Sequence, residues 1–206
     1  MIFHTDYENV SPEAVRQFVD GIPMGRLVTV GVDGTPHMGL FNFVYGEQRI
    51  ELHLARRDEQ CDDLKRHSRC VFEVDEYLTS IPSYWVHPEY AGVATSYHRT
   101  VIFECIGSLQ DDPAVQVACH NRLLKKYQPE GGYQALGVDA PLYRGAWMRL
   151  YAVCLEVTAC RVKFKLGQNR TPTERETIIQ HLRQRDGKGD GIAASVLERS
   201  LTGQHP

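Results

Sequence analysis

The feature that most constrains this chain is the dipeptide Asp33-Gly34, set between the apolar, β-branched run Leu27-Val28-Thr29-Val30 and the segment Thr35 to Tyr45. Asp-Gly tolerates the positive φ angles of a two-residue hairpin turn, so these flanks predict two antiparallel strands. Gly46-Glu47 turns the chain again, and Arg49 to Leu54 alternates Ile50, Leu52 and Leu54 with Glu51 and His53, a half-buried strand. A three-stranded meander follows, and a meander this early commits the chain to a β framework.

The rest supplies three more strands and a set of helices. Ser11-Pro12-Glu13 reads as an N-cap with proline at the first helical position, opening a helix to about Asp20. Asp58 caps a short helix carrying Cys61 and Leu64, and Arg69 to Val74 is a fourth strand. Between Asp75 and Thr95, Pro82, Pro88 and Gly92 interrupt a run of aromatics (Tyr77, Tyr84, Trp85, Tyr90), which predicts irregular structure. Thr95 to Leu109 is a fifth strand, Asp112-Pro113 opens a helix to about Tyr127, and Trp147 to about Val162 is the sixth strand. Thr171-Pro172-Thr173-Glu174 has capping-box spacing, with Ile178, Ile179 and Leu182 on the following helical face. A last short helix runs from about Gly191 to Arg199. The expectation is a mainly β protein with peripheral helices: a six-stranded antiparallel barrel over residues 1–165, and a C-terminal helical extension, 166–206, packing on it.

A chain of 206 residues fits one domain with a small appendage, and 42% hydrophobic with 24% charged residues excludes a disordered or low-complexity architecture. The net charge of −3 provides no general field for nucleic acid or anionic lipid. Met1 to Val10 carries His4, Asp6 and Glu8 instead of a basic start and an apolar run, so it does not read as a signal peptide, and no segment approaches the roughly 18 apolar residues of a membrane span. The expected location is cytoplasmic. The six cysteines form no Cys-x-x-Cys pair, which favours buried free thiols over disulfides or zinc ligands.

No Gly-x-Ser-x-Gly elbow, phosphate-binding Gly-x-x-x-x-Gly-Lys-Ser/Thr loop, His-Glu-x-x-His or Gly-x-Gly-x-x-Gly is present, and of the nine histidines only His87 and His98 share a neighbourhood with aromatic company, neither with metal-type spacing to another ligand. What remains is Arg56-Arg57, directly after the third strand and just before the next helix, with Arg26 at the start of the first strand. Guanidinium groups where a chain leaves a sheet suit an anion such as a phosphate. The alternative is that these arginines only solvate a sheet edge.

Several blocks carry a family likeness. Gly25-Arg26-Leu27-Val28-Thr29-Val30, Asp33-Gly34-Thr35-Pro36-His37 and Asn42-Phe43-Val44-Tyr45 resemble the opening meander of the pyridoxamine 5′-phosphate oxidase-like, FMN-binding split-barrel proteins. Leu52-His53-Leu54-Ala55-Arg56, with Asp62, Leu64 and Val71 to Asp75, is similar to the third strand, helix and fourth strand of the nitroimidazole-resistance branch, and Tyr97 to Phe103 with Gly107 resembles its fifth strand. Lys163-Phe164-Lys165-Leu166-Gly167-Gln168-Asn169-Arg170 is similar to the Lys-x-Lys-Leu-Ser-Gln-Asn-Arg motif of PaiB-like proteins, named as transcriptional regulators, and Ile81 to Trp85 resembles a second segment of that group. One departure stands out: Asp58-Glu59-Gln60 occupies the place of a Gly-Arg-Lys triplet whose lysine would meet the flavin phosphate, leaving Arg56 and Arg57 to compensate from a few residues earlier.

The resemblance implies a split barrel that binds FMN between two subunits of a homodimer and acts as an oxidoreductase on a small molecule. It implies that Arg26, Asn42, His53, Ala55, Arg56 and Arg57 line the phosphate and ring edge. Trp85, Tyr97, His98 and Arg99 are candidates for the substrate side or for the partner subunit's contribution, with core packing the alternative for Trp85 and Tyr97. A second reading is a haem-binding split barrel with His37, His53 or His98 as axial ligand. A third is a PaiB-like regulator, against which the charge balance counts.

Overall fold

The computed structural model describes residues 5–201, so His4 lies outside the described residues. In chain order the elements are α1 (Thr5–Glu8), α2 (Pro12–Gly21), β1 (Gly25–Val30), β2 (Pro36–Phe41), β3 (Val44–Gly46), β4 (Arg49–Ala55), α3 (Glu59–Arg66), β5 (Arg69–Ile81), β6 (Thr95–Gln110), α4 (Pro113–Tyr127), α5 (Arg144–Arg149), β7 (Leu150–Lys165), α6 (Pro172–Arg185) and α7 (Asp190–Leu201). Single 3-10 turns lie at Ser83–Trp85 and Ala91–Val93.

The sheet has seven strands, not the expected six, in the order β2-β1-β5-β6-β7-β4-β3. The extra strand comes from the segment Thr35 to Tyr45, which breaks at Asn42-Phe43. Its first half pairs with β1 (Gly25 opposite Phe41, Val30 opposite Pro36) and its second half with β4 (Val44 opposite Glu51). One continuous strand cannot serve both neighbours, so the two halves become opposite edges of the sheet. Two linking residues reach only about 7–10 Å. The sheet is therefore rolled until its edges approach, yet β2 and β3 share no ladder and the roll stays open.

Where a neighbouring strand is missing, a side chain substitutes. The backbone N–H of Phe43 donates to the Tyr127 hydroxyl at 2.9 Å, and that hydroxyl lies 2.8 Å from the carbonyls of both Phe43 and Pro23. Phe43 is fully buried, packed edge-on against Phe72 with ring centroids 5.0 Å apart. Gly25 is needed beside them, because a Cβ there would stand 2.3 Å from the Phe72 ring.

Among the described residues, 20–74 and 102–160 form one compact unit, and 5–19, 75–101 and 161–201 form another. In the first, Leu27, Ile50, Leu52, Phe72, Phe103 and Leu155 make the interior of the rolled sheet. In the second, Phe18 of α2 meets Phe164 of β7 edge-on at 5.1 Å, and α6 and α7 bury Ile178, Leu182, Ala193 and Leu197.

Other departures from the sequence reading have local causes. Asp75 to Ile81 continues β5 because Leu78, Thr79 and Ile81 are all buried there, which outweighs the turn signal of Pro82. Trp147 lies in α5, where the N–H groups of Ala146 and Trp147 both find the Tyr143 carbonyl, and the last strand starts three residues later. The caps form as read: Asp58 accepts from the Gln60 N–H, Asp112 from the Ala114 N–H, and Thr171 with Glu174 closes a reciprocal capping box. All six cysteines are free, and four of them are buried. No described helix is long and apolar enough to cross a membrane.

Candidate functional site

The arginine pair sits where β4 ends. Ile50, Leu52 and Leu54 anchor that strand inward, and its backbone pairs with β7 as far as Ala55 opposite Leu150. The chain then turns: the Arg56 N–H donates to the Arg149 carbonyl at 2.8 Å, and the Asp58 N–H to the Ala55 carbonyl at 2.9 Å. The turn fixes Arg56 firmly. Its guanidinium lies 4.2 Å from the centroid of the Tyr151 ring, and one terminal nitrogen is 3.5 Å from the Trp147 carbonyl. Among the described residues its one ion-pair neighbour is Asp111, 3.9 Å away and largely exposed. The Arg56 Nε is buried with no hydrogen-bond partner, and Arg57 beside it is exposed with no ion pair among the described residues. The cluster thus has cationic donors in excess.

The N-terminus of α3 is already committed. Asp58 Oδ1 takes the Gln60 N–H at 3.0 Å, and the Gln60 side chain donates back to the carbonyls of Leu27 (2.8 Å) and His37 (3.3 Å). The Cys61 thiol faces the Ala55 carbonyl, and burial first, then the Asp58 charge, pushes it up to about 11, so it stays protonated.

Two histidine environments lie in the same unit. His37 Nδ1 is 2.7 Å from Asp63, a buried carboxylate that also receives the Thr29 hydroxyl at 2.7 Å and the Arg66 guanidinium. The hydrogen bond to Asp63 is the largest influence raising the His37 pKa above its ordinary value. His53 stacks on His120 of α4 with ring centroids 4.8 Å apart, and His120 in turn meets Trp147 edge-on at 5.3 Å. Both stacked histidines titrate below the ordinary value, first through desolvation; for His53 the neighbouring His120 charge adds to it. His120 Nδ1 lies 2.8 Å from the Gln116 carbonyl, an acceptor only, so Nδ1 carries the hydrogen and the buried Nε2, which has no partner, carries a lone pair.

Of the ten residues expected at the site, Arg26, Asn42, His53, Ala55, Arg56 and Arg57 fall in this unit. Arg26 donates to Glu73, its cross-strand neighbour, at 2.8 Å, so its charge is matched within the sheet. Asn42 is exposed in the link between β2 and β3, and Ala55 is exposed at the end of β4. The other four fall in the second unit. Trp85 stacks on His181 at 4.9 Å with Arg185 4.7 Å from its centroid, Arg99 grips Glu76 through two nitrogens and covers Phe18 at 4.7 Å, and His98 Nδ1 is 3.3 Å from the Thr100 hydroxyl. Tyr97 is fully buried; desolvation pushes its phenol up to about 12.

Sequence reasoning missed Tyr151, Trp147, Gln116 and His120. The last two were within reach: Gln116, Cys119, His120 and Leu123 recur at three- and four-residue intervals along α4, which marks the face turned to the sheet.

The model of the family described as "Putative FMN-binding domain" matches residues 1–159. The chain belongs to that family. FMN is therefore the cofactor its family binds, and its fold is that of the FMN-binding split barrels. No curated protein matches it. Among solved structures, the flavocytochrome Anf3 from Azotobacter vinelandii superposes with a TM-score of 0.65 at 16% identity over 77% of this chain and 69% of the other. The FAD and heme binding protein from Mycobacterium smegmatis gives 0.60 at 14% identity over 77% and 73%. A protein titled a putative 5-nitroimidazole antibiotic resistance protein, from Bacteroides thetaiotaomicron VPI-5482, gives 0.59 at 10% identity over 74% and 83%. These likenesses are of fold.

The residues of this FMN-binding domain fit a flavin phosphate at Arg56-Arg57 and not at the adjoining helix. The orphaned Arg56 Nε and the unpaired Arg57 lack an anion, which a phosphate provides. At α3 the Asp58 carboxylate already occupies the place an anion would take. The departure seen at Asp58-Glu59-Gln60 thus has a structural meaning: Asp58 caps the helix, and the cationic donors left without an acceptor lie just before it, at Arg56 and Arg57.

Proposed function

We propose that this protein is an FMN-dependent oxidoreductase acting on a small molecule such as a nitro compound or a quinone-like acceptor, and that it works as a homodimer. The observation that carries the reading is Arg56: a guanidinium clamped on Tyr151 with a buried donor lacking an acceptor is a group waiting for an anion. Bound FMN supplies the two-electron chemistry, so the chain's own residues have to hold, orient and shield it. Arg56 and Arg57 bind the phosphate. The stacked pair His53 and His120, neutral at pH 7 because desolvation lowers both, offers a flat polarisable wall that adds no charge against a flavin ring.

The homodimer is supported by an apolar outer face on the β1–β2 hairpin. Met38 and Leu40 are 66% and 53% exposed, and Val30 and Val32 are 44% and 86% exposed. Such a face invites a self-complementary partner. The six free thiols support a reducing, cytoplasmic location.

The test is flavin titration of the purified protein by visible absorbance, with sedimentation to count subunits. A flavin retained or taken up by the wild type, bound about tenfold to a hundredfold more weakly by Arg56→Met, is the expected result, since a charge-assisted hydrogen bond contributes about 1.5–3 kcal/mol. A protein that takes up no flavin ends the reading.

One observation favours a haem-binding alternative. The buried Asp63 carboxylate orients His37 through Nδ1 in the way that carboxylates steady metal-ligating histidines. A Soret band in the purified protein that disappears in His37→Ala supports it; haem absorbance indifferent to that change removes it.

A further inference from the structure

The segment Lys163 to Arg170, which resembles a PaiB-like motif, has no part in the flavin reading, yet it helps to line a cavity of about 240 Å³ in the unit of residues 5–19, 75–101 and 161–201. The segment divides its labour. Phe164 and Leu166 are fully buried and anchor it, while Lys165, Asn169 and Arg170 line the cavity with Tyr7, Thr95 and Tyr97. Between anchor and lining the chain turns at Gly167, whose φ of +77° suits glycine and whose Cβ, if present, would stand 3.2 Å from the Tyr97 hydroxyl. Gln168 steadies the turn by accepting the Leu166 N–H at 2.8 Å and donating to the Phe164 carbonyl.

Two features of the lining ask for an anion. The first is excess positive charge. The Lys165 ammonium donates to the Thr95 hydroxyl and has no carboxylate at ion-pair distance among the described residues, and Arg170 reaches the Val93 carbonyl at 3.2 Å. Glu174 lies 4.0 Å from Arg170, but its carboxylate already takes the N–H and hydroxyl of Thr171 at 2.8 and 2.9 Å. Asp6 lies near enough to raise the pKa of Tyr7. Desolvation, then the like charges of Lys163 and Arg170, lower the Lys165 pKa, as expected of a cation short of counter-charge. The second feature is Tyr97, a fully buried lining residue whose hydroxyl has no hydrogen-bond partner. Buried hydroxyls are paired as a rule.

We infer that this cavity binds a small phosphate- or carboxylate-bearing molecule, its oxyanion held by Lys165 and Arg170 and hydrogen-bonded by the Tyr97 hydroxyl and the Asn169 amide. The volume admits an oxyanion with a short carbon skeleton and is below the range of drug-sized ligands. The inference does not rest on the flavin reading, because none of these residues belongs to the Arg56-Arg57 cluster.

The test uses the full chain and inorganic phosphate, titrated by calorimetry and by thermal unfolding at constant ionic strength. Saturable binding that raises the melting temperature is expected, weakened at least about tenfold in Lys165→Gln and unchanged in Lys188→Gln, an exposed lysine elsewhere. Tyr97→Phe is the decisive second variant: without phosphate it melts no lower than the wild type, since it loses only an unpaired hydroxyl, but its stabilisation by phosphate falls several-fold. FMN added at the same phosphate concentration should not compete, which identifies a ligand separate from the flavin; competition by FMN and not by riboflavin would overturn that part of the inference. An absence of saturable binding, or binding equal in Lys165→Gln and the wild type, overturns the inference, whatever the flavin titration shows.

Discussion

Three described arginines lie over aromatic rings, and two of them, Arg185 and Arg56, end differently. Arg185 lies 4.7 Å from the Trp85 centroid and is neutralised by Asp190 through two nitrogens at 2.7 and 2.6 Å, with Thr79 and the Ser80 carbonyl taking further contacts. Arg56 lies 4.2 Å from the Tyr151 centroid, meets one exposed carboxylate at 3.9 Å and leaves Nε unpaired. The same stacking thus serves two ends. A guanidinium whose donors are filled from within its own unit holds the fold together, and one with donors left over is available to a ligand.

The largest effect expected on that contrast comes from Gly189, at the start of α7 beside Asp190. Its φ is +85° and a Cβ there would stand 2.0 Å from the Leu78 carbonyl oxygen, so Gly189→Ala must displace Asp190 and release Arg185. A loss of about 4 kcal/mol in urea unfolding is expected, at the upper end for a single substitution. Next is Asp190→Asn, which leaves Arg185 without its anion. The Arg185 guanidinium holds the Asp190 carboxyl at about 2, below its ordinary 3.8. A depressed carboxylate stabilises the fold above its unfolded pKa and loses that contribution as pH falls through the folded one, so about 2 kcal/mol should vanish between pH 5 and pH 2 in the wild type and not in Asp190→Asn.

Arg56→Met should invert the pattern, costing less than about 1 kcal/mol in unfolding because few filled hydrogen bonds are lost, while flavin affinity falls. If Arg56→Met proves as destabilising as Asp190→Asn, the contrast fails. The smallest effect lies away from both arginines. Glu47 and Gln48 form the β3–β4 turn with φ of 53° and 58°, a conformation that favours Asn-Gly. Replacing both should add about 0.5–1 kcal/mol of stability without altering flavin binding, which sets the scale of a purely structural change.

Features written into neighbouring residues were legible in the sequence. The hairpin at Asp33-Gly34, the alternation of β4, the capping box at Thr171 and the adjacency of Arg56 to Arg57 all depend on short-range stereochemistry. What escaped depends on partners far along the chain. Leu40, Phe41, Phe43 and Val44 read as one apolar run, and only the presence of two different neighbours, β1 and β4, cuts it. Arg26 looked as available as Arg56 until cross-strand register placed Glu73 opposite it. Tyr151 and Trp147, which seat Arg56, are more than ninety positions away from it, and no local pattern in the sequence joins them to the arginine.

The Tyr127 hydroxyl at Phe43 has a consequence of its own. A barrel closed by a full ladder has many bonds to break before it can part, whereas here the link between β2 and β3 is held at Phe43 by the Tyr127 hydroxyl and by the packing of the Phe43 ring on Phe72. Removing that oxygen, as in Tyr127→Phe, would leave the amide of a wholly interior residue seeking water, and water could reach it only by widening the gap. The seam between β2 and β3 thus depends in part on a single atom of α4.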